Sequence, residues 1–288
     1  MSLELLFLGT GTSAGVPMIG CDCEVCHSTD PRDKRTRPSV LVRYRDPTAV
    51  GEPPGAGNGG NPHDDATCAF TRQLLIDCAP EMRLQVIKHG INRIDGLLLT
   101  HAHADHIFGI DDLRRFNAVM NQPINIYTEQ GTYEILNSMF SYIFEAHKNV
   151  NQSFVASLIQ HRVEAGAGFE LFGAWWTPLR LLHGRLPILG FRVDRDGESL
   201  AYCTDVSSFP PETYPLLEGL DVLVIDALRH KHHPTHMTVD QALSAIENVQ
   251  PRRAYLTHIA HDIKHADLEA NLPEHVFLSF DGLTINCR

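Results

Sequence analysis

The chain has 288 residues, 43% of them hydrophobic, with a formal net charge of -11, which is enough length to bury a core in one large domain or two small ones. No apolar run approaches the ~18 residues that a membrane span needs, and the acidic balance argues against sequence-independent binding to a nucleic-acid backbone. Seven cysteines make an odd set, with Cys21, Cys23 and Cys26 close together, which suits metal binding in a reducing compartment better than a disulfide framework.

Residues 3–8 read as a first strand. Glu4 and the lack of a basic leading segment do not fit a signal peptide, so a cytoplasmic location is expected. The strand runs into Gly9-Thr10-Gly11-Thr12-Ser13. The next glycine is Gly15 and no helical pattern follows, so the run reads as a tight turn near a site and not as a dinucleotide fingerprint. Cys21, Cys23 and Cys26 then form Cys-x-Cys-x-x-Cys. Thiolates so spaced can take three corners of a tetrahedron around zinc, leaving the fourth to a distant residue; the alternative is three buried, inert thiols.

Arg32, Lys34, Arg35 and Arg37 form a basic run that reads as a solvated loop, with substrate contact as the alternative. Strands are expected over 39–44 and 72–77, an antiparallel pair joined by a Gly- and Pro-rich insertion at about 46–68. That stretch reads as a flexible surface insertion within a single domain spanning 1–288. Asp77 ends the second strand, placed either to orient a ligating histidine through its second N–H or to cap a helix beginning near Pro80.

The densest signal follows. Residues 97–100 read as a buried strand, and at its C-terminal lip stand His101, His103, Asp105 and His106, ahead of Ile107, Ile110, Leu113 and Phe116 at helical spacing. Imidazoles and a carboxylate so crowded can converge only on something that uses their lone pairs, and a divalent metal is the usual object. His101 and His103 would face one way, Asp105 and His106 another. Two adjacent metals fit that arrangement better than one.

A strand over 124–127 precedes a helical pattern over 130–146 whose stripe (Tyr133, Leu136, Met139, Phe140, Ile143, Phe144) suits core packing. A cover over the site or a homodimer contact is the alternative use. Strands recur over 169–172, 175–180, 188–193 and 199–204. His183 lies in a short link between two of them. Asp205 follows the last, where a carboxylate between two cations could bridge them with its two oxygens. Residues 221–226 are another buried strand ending in a carboxylate, followed by a polar loop with His232, His233 and His236. Thr238 to Gln241 has the capping-box pattern that opens a helix. Residues 254–257 repeat the strand-then-histidine arrangement, with His258 and His261 spaced to serve two separate sites. Two strand-rich halves punctuated by helices imply an α/β, four-layer αββα sandwich with ligands at strand ends along one edge. Strands that adjoin without helices between them tell against an alternating βα barrel.

In order and context, His101, His103, Asp105, His106, His183, Asp205 and His258 resemble the signature of the metallo-β-lactamase superfamily. The resemblance implies His101, His103 and His183 on one metal, Asp105, His106 and His258 on the other, and Asp205 bridging. With its cysteine cluster the chain is similar to the PhnP subgroup, phosphodiesterases for cyclic ribose phosphates, which implies a structural zinc on Cys21, Cys23, Cys26 and His261. The resemblance covers nearly the whole chain, with the insertion as the main departure. His236-Met237-Thr238 matches the His-x-Thr form of related tRNA-maturing endonucleases. His236 is therefore the expected general acid, with His232 and His233 as competitors and Asp240 as a carboxylate able to keep it protonated. Asp105 is the other candidate catalytic residue.

The expected function is hydrolysis of a small cyclic ribose or nucleotide phosphodiester by a pair of divalent ions, zinc or manganese, with iron as a further candidate. One alternative is thioester, lactone or β-lactam hydrolysis on the same metals. Another is a non-catalytic, metal-stabilised carrier resembling PqqB, which the complete ligand set tells against. Neither a membrane nor a nucleic acid is expected as a partner.

Overall fold

The computed structural model describes residues 3–46, 71–150 and 153–288. Six strands open the chain: β1 (Glu4–Gly9), β2 (Ser39–Arg45), β3 (Thr71–Ile76), β4 (Gly96–Leu98), β5 (Ile124–Thr128) and β6 (Leu158–Arg162). Seven more follow: β7 (Phe169–Leu171), β8 (Ala174–His183), β9 (Leu186–Arg195), β10 (Glu198–Cys203), β11 (Val222–Asp226), β12 (Arg253–Thr257) and β13 (Val276–Leu278). The last, β14 (Thr284–Asn286), returns to the first sheet, whose order is β14-β1-β2-β3-β4-β5-β6; the second runs β13-β12-β11-β10-β9-β8-β7. Each sheet passes from antiparallel to parallel pairing, at β3 and at β10 respectively.

Strand side chains alternate between two apolar environments. Leu5, Phe7, Val40, Val42, Leu74 and Ile76 face a core shared with Trp176, Phe191, Leu200, Tyr202, Val222 and Val224 of the other sheet. Their neighbours Leu6, Leu8, Leu41 and Leu75 face outward onto Met82 and Val86 of helix α1 (Met82–Lys88). On the far sheet Leu223 and Ile225 meet Val239, Ala242 and Ile246 of a later helix, Val239–Val249. Burial on both faces explains why these strands read as unbroken apolar runs. The result is the expected helix-sheet-sheet-helix layering.

The helical spacing after the histidine motif is real but not continuous. It divides into α2 (Ala104–Ile107), a 3-10 turn (Ile110–Asp112) and α3 (Leu113–Met120). The break falls at Gly109, where a Cβ would lie 2.3 Å from the Ala79 carbonyl oxygen, so close backbone approach excludes a larger side chain. The pattern over 130–146 likewise divides, into α4 (Gln130–Met139) and α5 (Ser141–Phe144), with Phe140 out of helical geometry between them. Its stripe is also split: Leu136 and Ile143 are buried, whereas Met139 is 51% exposed.

The capping box is present at the start of α6 (Val239–Val249), with Thr238 and Gln241 bonded reciprocally. The final short helix is α7 (His265–Glu269). The antiparallel pairing of β2 with β3 matches expectation, Val40 opposite Ile76. The Gly- and Pro-rich insertion between them lies, apart from Asp46, outside the described residues. The basic run is not a solvated loop, because every member is engaged: Arg32 with Asp30 and Glu269, Lys34 with the Cys26 carbonyl, Arg35 with Asp33, and Arg37 with Glu81. No helix among the described residues is long and apolar enough to cross a membrane.

Candidate metal centre

The site lies where the ends of strands from both sheets meet. Past β4, the loop carrying His101 and His103 turns into α2, which holds Asp105 and His106 in its one turn. Asp77, just beyond β3, fixes that loop. Its Oδ1 accepts the Thr100 N–H at 2.9 Å, and its Oδ2 lies 2.7 Å from His106 Nδ1. It does not cap α1, whose N-cap is Glu81. From the second sheet come His183, the last residue of β8 and not a linker residue, Asp205 beyond β10, and His258 beyond β12.

These residues form two groups that share Asp205. One is His101, His103, His183 and Asp205; the other is Asp105, His106, Asp205 and His258, the candidate ligand atoms of each lying within 4.8 Å of one another. Asp205 presents different oxygens to the two: Oδ1 is 3.2 Å from both His106 Nε2 and His258 Nε2, and Oδ2 is 3.9 Å from His101 Nε2.

The polar accounting fits a cation. Nε2 of His101, His106 and His258 is buried without a hydrogen-bond partner. The opposite nitrogen is occupied in three of the rings, His101 Nδ1 by Thr100 Oγ1 at 2.9 Å, His106 Nδ1 by Asp77, and His183 Nδ1 by the Thr235 carbonyl at 2.8 Å, whereas His258 Nδ1 is also without a partner. A ring whose Nδ1–H is engaged outward offers its Nε2 lone pair inward, the tautomer a metal ligand needs. Buried polar nitrogens aimed at a common space are otherwise costly. Burial also opposes charge on these rings. It and the neighbouring His106 hold His101 well below the usual histidine range. His106 is disfavoured by burial too, yet Asp205, Asp77 and Asp105 push it well above that range.

The backbone is unusual at the same places. Asp77, Asp205 and His258 have φ of 62°, 55° and 60°, the left-handed region that side chains bearing a Cβ rarely adopt. Each stands at a strand end, where a left-handed residue turns the chain sharply across the sheet edge.

His236 sits beside this centre. Its ring stacks on His258 at 4.8 Å and 13° and meets His183 edge-on at 4.6 Å. Its Nδ1 lies 2.6 Å from Oδ2 of Asp226, the last residue of β11. The carboxylate partner is thus Asp226 and not Asp240, which is exposed on α6. Sequence reasoning marked Asp226 as a carboxylate at a strand end without assigning it a role. Of the competing histidines, His232 is exposed, and His233 Nδ1 is engaged with Thr235 at 3.1 Å. A cleft of about 960 Å³ opens beside His101 and His103, walled by Thr132, Arg162, Leu186 and the Glu129–Arg180 ion pair.

A separate cluster forms at the N-terminal loop. His261 Nδ1 lies 3.2 Å from Cys21 Sγ and 3.3 Å from Cys23 Sγ, and Cys26 completes the set. The Cys26 N–H, and after it His261, bring the Cys23 thiol down to about 6, whereas burial pushes Cys26 up to about 11. Thiols this close with one already acidic suit a tetrahedral zinc. Cys23→Ser should therefore cost the protein one equivalent of tightly bound zinc and lower its thermal stability, since such a site contributes folding free energy directly. Elemental analysis of the purified variant checks this; zinc content equal to that of wild type would remove the cysteines from metal binding.

A family model described as the beta-lactamase superfamily domain matches residues 72–259. The fold also superposes on the crystal structure of a new diphosphatase from the PhnP family, with a TM-score of 0.81 and 38% identity over 99% of this chain and 97% of that one. The chain belongs to the metallo-β-lactamase superfamily and is PhnP-like. A protein named octanoyltransferase from Porphyromonas gingivalis is 33% identical over 98% of this superfamily member, which spans only 51% of that relative's length. Zinc-bound PqqB from Methylobacterium extorquens shares the fold, with a TM-score of 0.70 at 18% identity over 98% of this chain and 99% of that one. The two buried His and Asp groups are the candidate places for divalent metals in this fold.

Proposed function

We propose that this chain hydrolyses a phosphoric diester of a small ribose- or nucleotide-type substrate at the paired His and Asp groups. The observation that carries the reading is the Asp226–His236 pair, 2.6 Å apart, standing against His258 at the lip of that centre. A histidine held by a buried carboxyl group at the edge of a metal centre is placed to move a proton at a departing oxygen. A ribose alkoxide is a poor leaving group that needs such help, whereas the thiolate that leaves a thioester does not. The likeness to a PhnP-family diphosphatase, 38% identical, supports hydrolysis at phosphorus.

Divalent cations bound there would activate water and offset the charge that builds on the phosphoryl oxygens. His101, His103 and His183 would hold one, Asp105, His106 and His258 the other, and Asp205 would join them. Asp105 is a carboxylate at neutral pH: burial raises its affinity for a proton, but His106 and His258 outweigh burial and hold it well below the usual range. It can therefore orient water by accepting a hydrogen bond. Asp226 keeps His236 in one orientation, leaving Nε2 as the nitrogen available to substrate.

Parallel rate assays on a bis-aryl phosphodiester, a cyclic nucleotide and an aryl thioester, each with zinc and with manganese, test the reading. Turnover of a phosphodiester is expected. Thioester turnover alone would replace this with acyl hydrolysis, which the match to half of an octanoyltransferase favours. Silence on all three at full metal occupancy would bring forward a carrier like PqqB.

A further inference from the structure

The two metal-binding clusters share one short stretch of chain. His258 offers its ring to the inner centre, and three residues later His261 offers its ring to the cysteines. What happens to the backbone between them decides whether the two sites are independent.

That stretch is pinned on several sides. The Ile259 N–H donates to the Thr10 carbonyl at 2.9 Å, and the Ile259 carbonyl accepts the Thr12 N–H at 3.3 Å. The Ala260 N–H donates to the Leu228 carbonyl at 2.9 Å. The Ala260 carbonyl accepts Arg35 Nη1 at 3.2 Å, while Arg35 Nη2 donates to Asp33 Oδ1 at 2.9 Å. Both charged side chains are 0% exposed. Gly11 lets the neighbouring turn close over the arginine, since a Cβ there would lie 2.9 Å from Arg35 Cβ.

The same segment reaches the cysteines. Lys34 Nζ donates to the Cys26 carbonyl at 3.2 Å, and Asp33 Oδ2 accepts the Ser28 hydroxyl at 2.6 Å just past the cysteine loop. Asp33 Oδ1 also accepts the His265 N–H at 2.8 Å, beyond His261. Residues 33–35 thus grip the cysteine loop with one set of groups and the His258–His261 strut with another.

A fully buried ion pair is weak support for stability, because desolvation offsets most of its attraction. Arg35 Nε is even left without a partner. The pair makes more sense as a device for position. His258 holds a φ of 60°, a conformation that persists only where its surroundings over-determine it, and the guanidinium clamps the peptide two residues away.

We propose that Arg35, held by Asp33, is a positioning residue that couples the cysteine cluster to the inner centre, so that a filled outer site fixes the ring of His258. The proposal rests on the metal-centre reading above but not on which bond the enzyme cleaves. Second-sphere groups of this kind typically alter metal affinity by ~10–100-fold.

Cobalt(II) tests it without substrate, because a thiolate-ligated cobalt gives an intense charge-transfer band that a His and Asp site lacks, so the two sites can be followed separately. Inner-site affinity would be measured by chelator competition in wild type, in Cys23→Ser, in the charge-balanced Asp33→Asn with Arg35→Met, and in all three substitutions together. Cys23→Ser and the Asp33/Arg35 variant should each weaken the inner site about 10-fold or more, and the combined variant should be no weaker than the worse of them. Losses that multiply would overturn the coupling, as would an Asp33/Arg35 variant with wild-type inner affinity. Should removing the pair unfold the chain, Arg35→Lys keeps the charge but not the forked reach. It should still lose several-fold at the inner site with the charge-transfer band intact, and no loss there would overturn the coupling. A wild-type chain that develops the thiolate band but takes up no inner cobalt would sink the metal-centre reading and this proposal together, whereas multiplying losses in a fully loaded protein sink the coupling alone.

Discussion

Asp205→Asn should reduce phosphodiester turnover by about 10²–10³-fold, the scale of losing one preorganised charge-stabilising group, and should loosen both cations at once. The substitution keeps size and hydrogen-bonding shape but removes the one charge common to the two ligand groups. Asp205 is buried, and although burial disfavours its charge, His258, His106 and His101 hold its carboxyl well below the usual range. The neutral amide would leave those rings facing one another and any cations without the shared counter-charge. Metal content after dialysis and turnover at saturating metal are the two measurements. If one cation is retained at wild-type affinity while the other is lost, Asp205 serves a single site and does not bridge.

His236→Ala should slow a phosphodiester with an alkyl or ribose leaving group by ~10²–10⁴-fold, the usual contribution of general acid-base catalysis, and an activated aryl ester far less. Burial, and then the charge on His258, hold the His236 ring down to about 4. The free protein therefore presents it neutral at pH 7. Two circumstances return it to use. A bound phosphodiester anion favours the imidazolium, and a neutral ring with Nδ1 held by Asp226 can take a proton from water before passing it to the departing oxygen. Burial pushes the Asp226 carboxyl well above the usual carboxylate range, so its hydrogen bond to Nδ1 is what matters, and Asp226→Ala, which removes that bond, should reproduce part of the loss with the same leaving-group dependence. Equal losses on both esters would reduce His236 to shaping its loop.

The two His and Asp groups were legible because their members stand at or just past places where an apolar strand stops, and such a lip is where polar side chains converge. That rule brought His101, Asp205 and His258 together across two sheets. It also explains the miss at Asp226, which has the same signature as Asp77 and no spacing that ties it to His236; the two meet because the connection between β11 and α6 folds back on its own strand end. The four layers followed from strand runs buried on both faces. The edge strand β6 escaped notice because Gln160, His161 and Arg162 give it no apolar run. Arg35 was misread for a different reason. A basic run suggests solvent, and nothing local announces that Asp33 lies buried beside it. Likewise Gly109 interrupts the helical pattern through contact with Ala79, a residue distant in sequence.

Because each ligand group draws on both sheets, neither sheet alone can hold a cation in the inner centre. Any ion there acts as a ligand of the docked sandwich and not of its separated halves, so free metal concentration becomes a thermodynamic lever on the native state. Once the centre is saturated, every tenfold rise in free metal adds about 1.4 kcal/mol to the folded side for each ion bound, by mass action. A cell's metal supply would then tune the lifetime of this protein against proteolysis as well as its turnover.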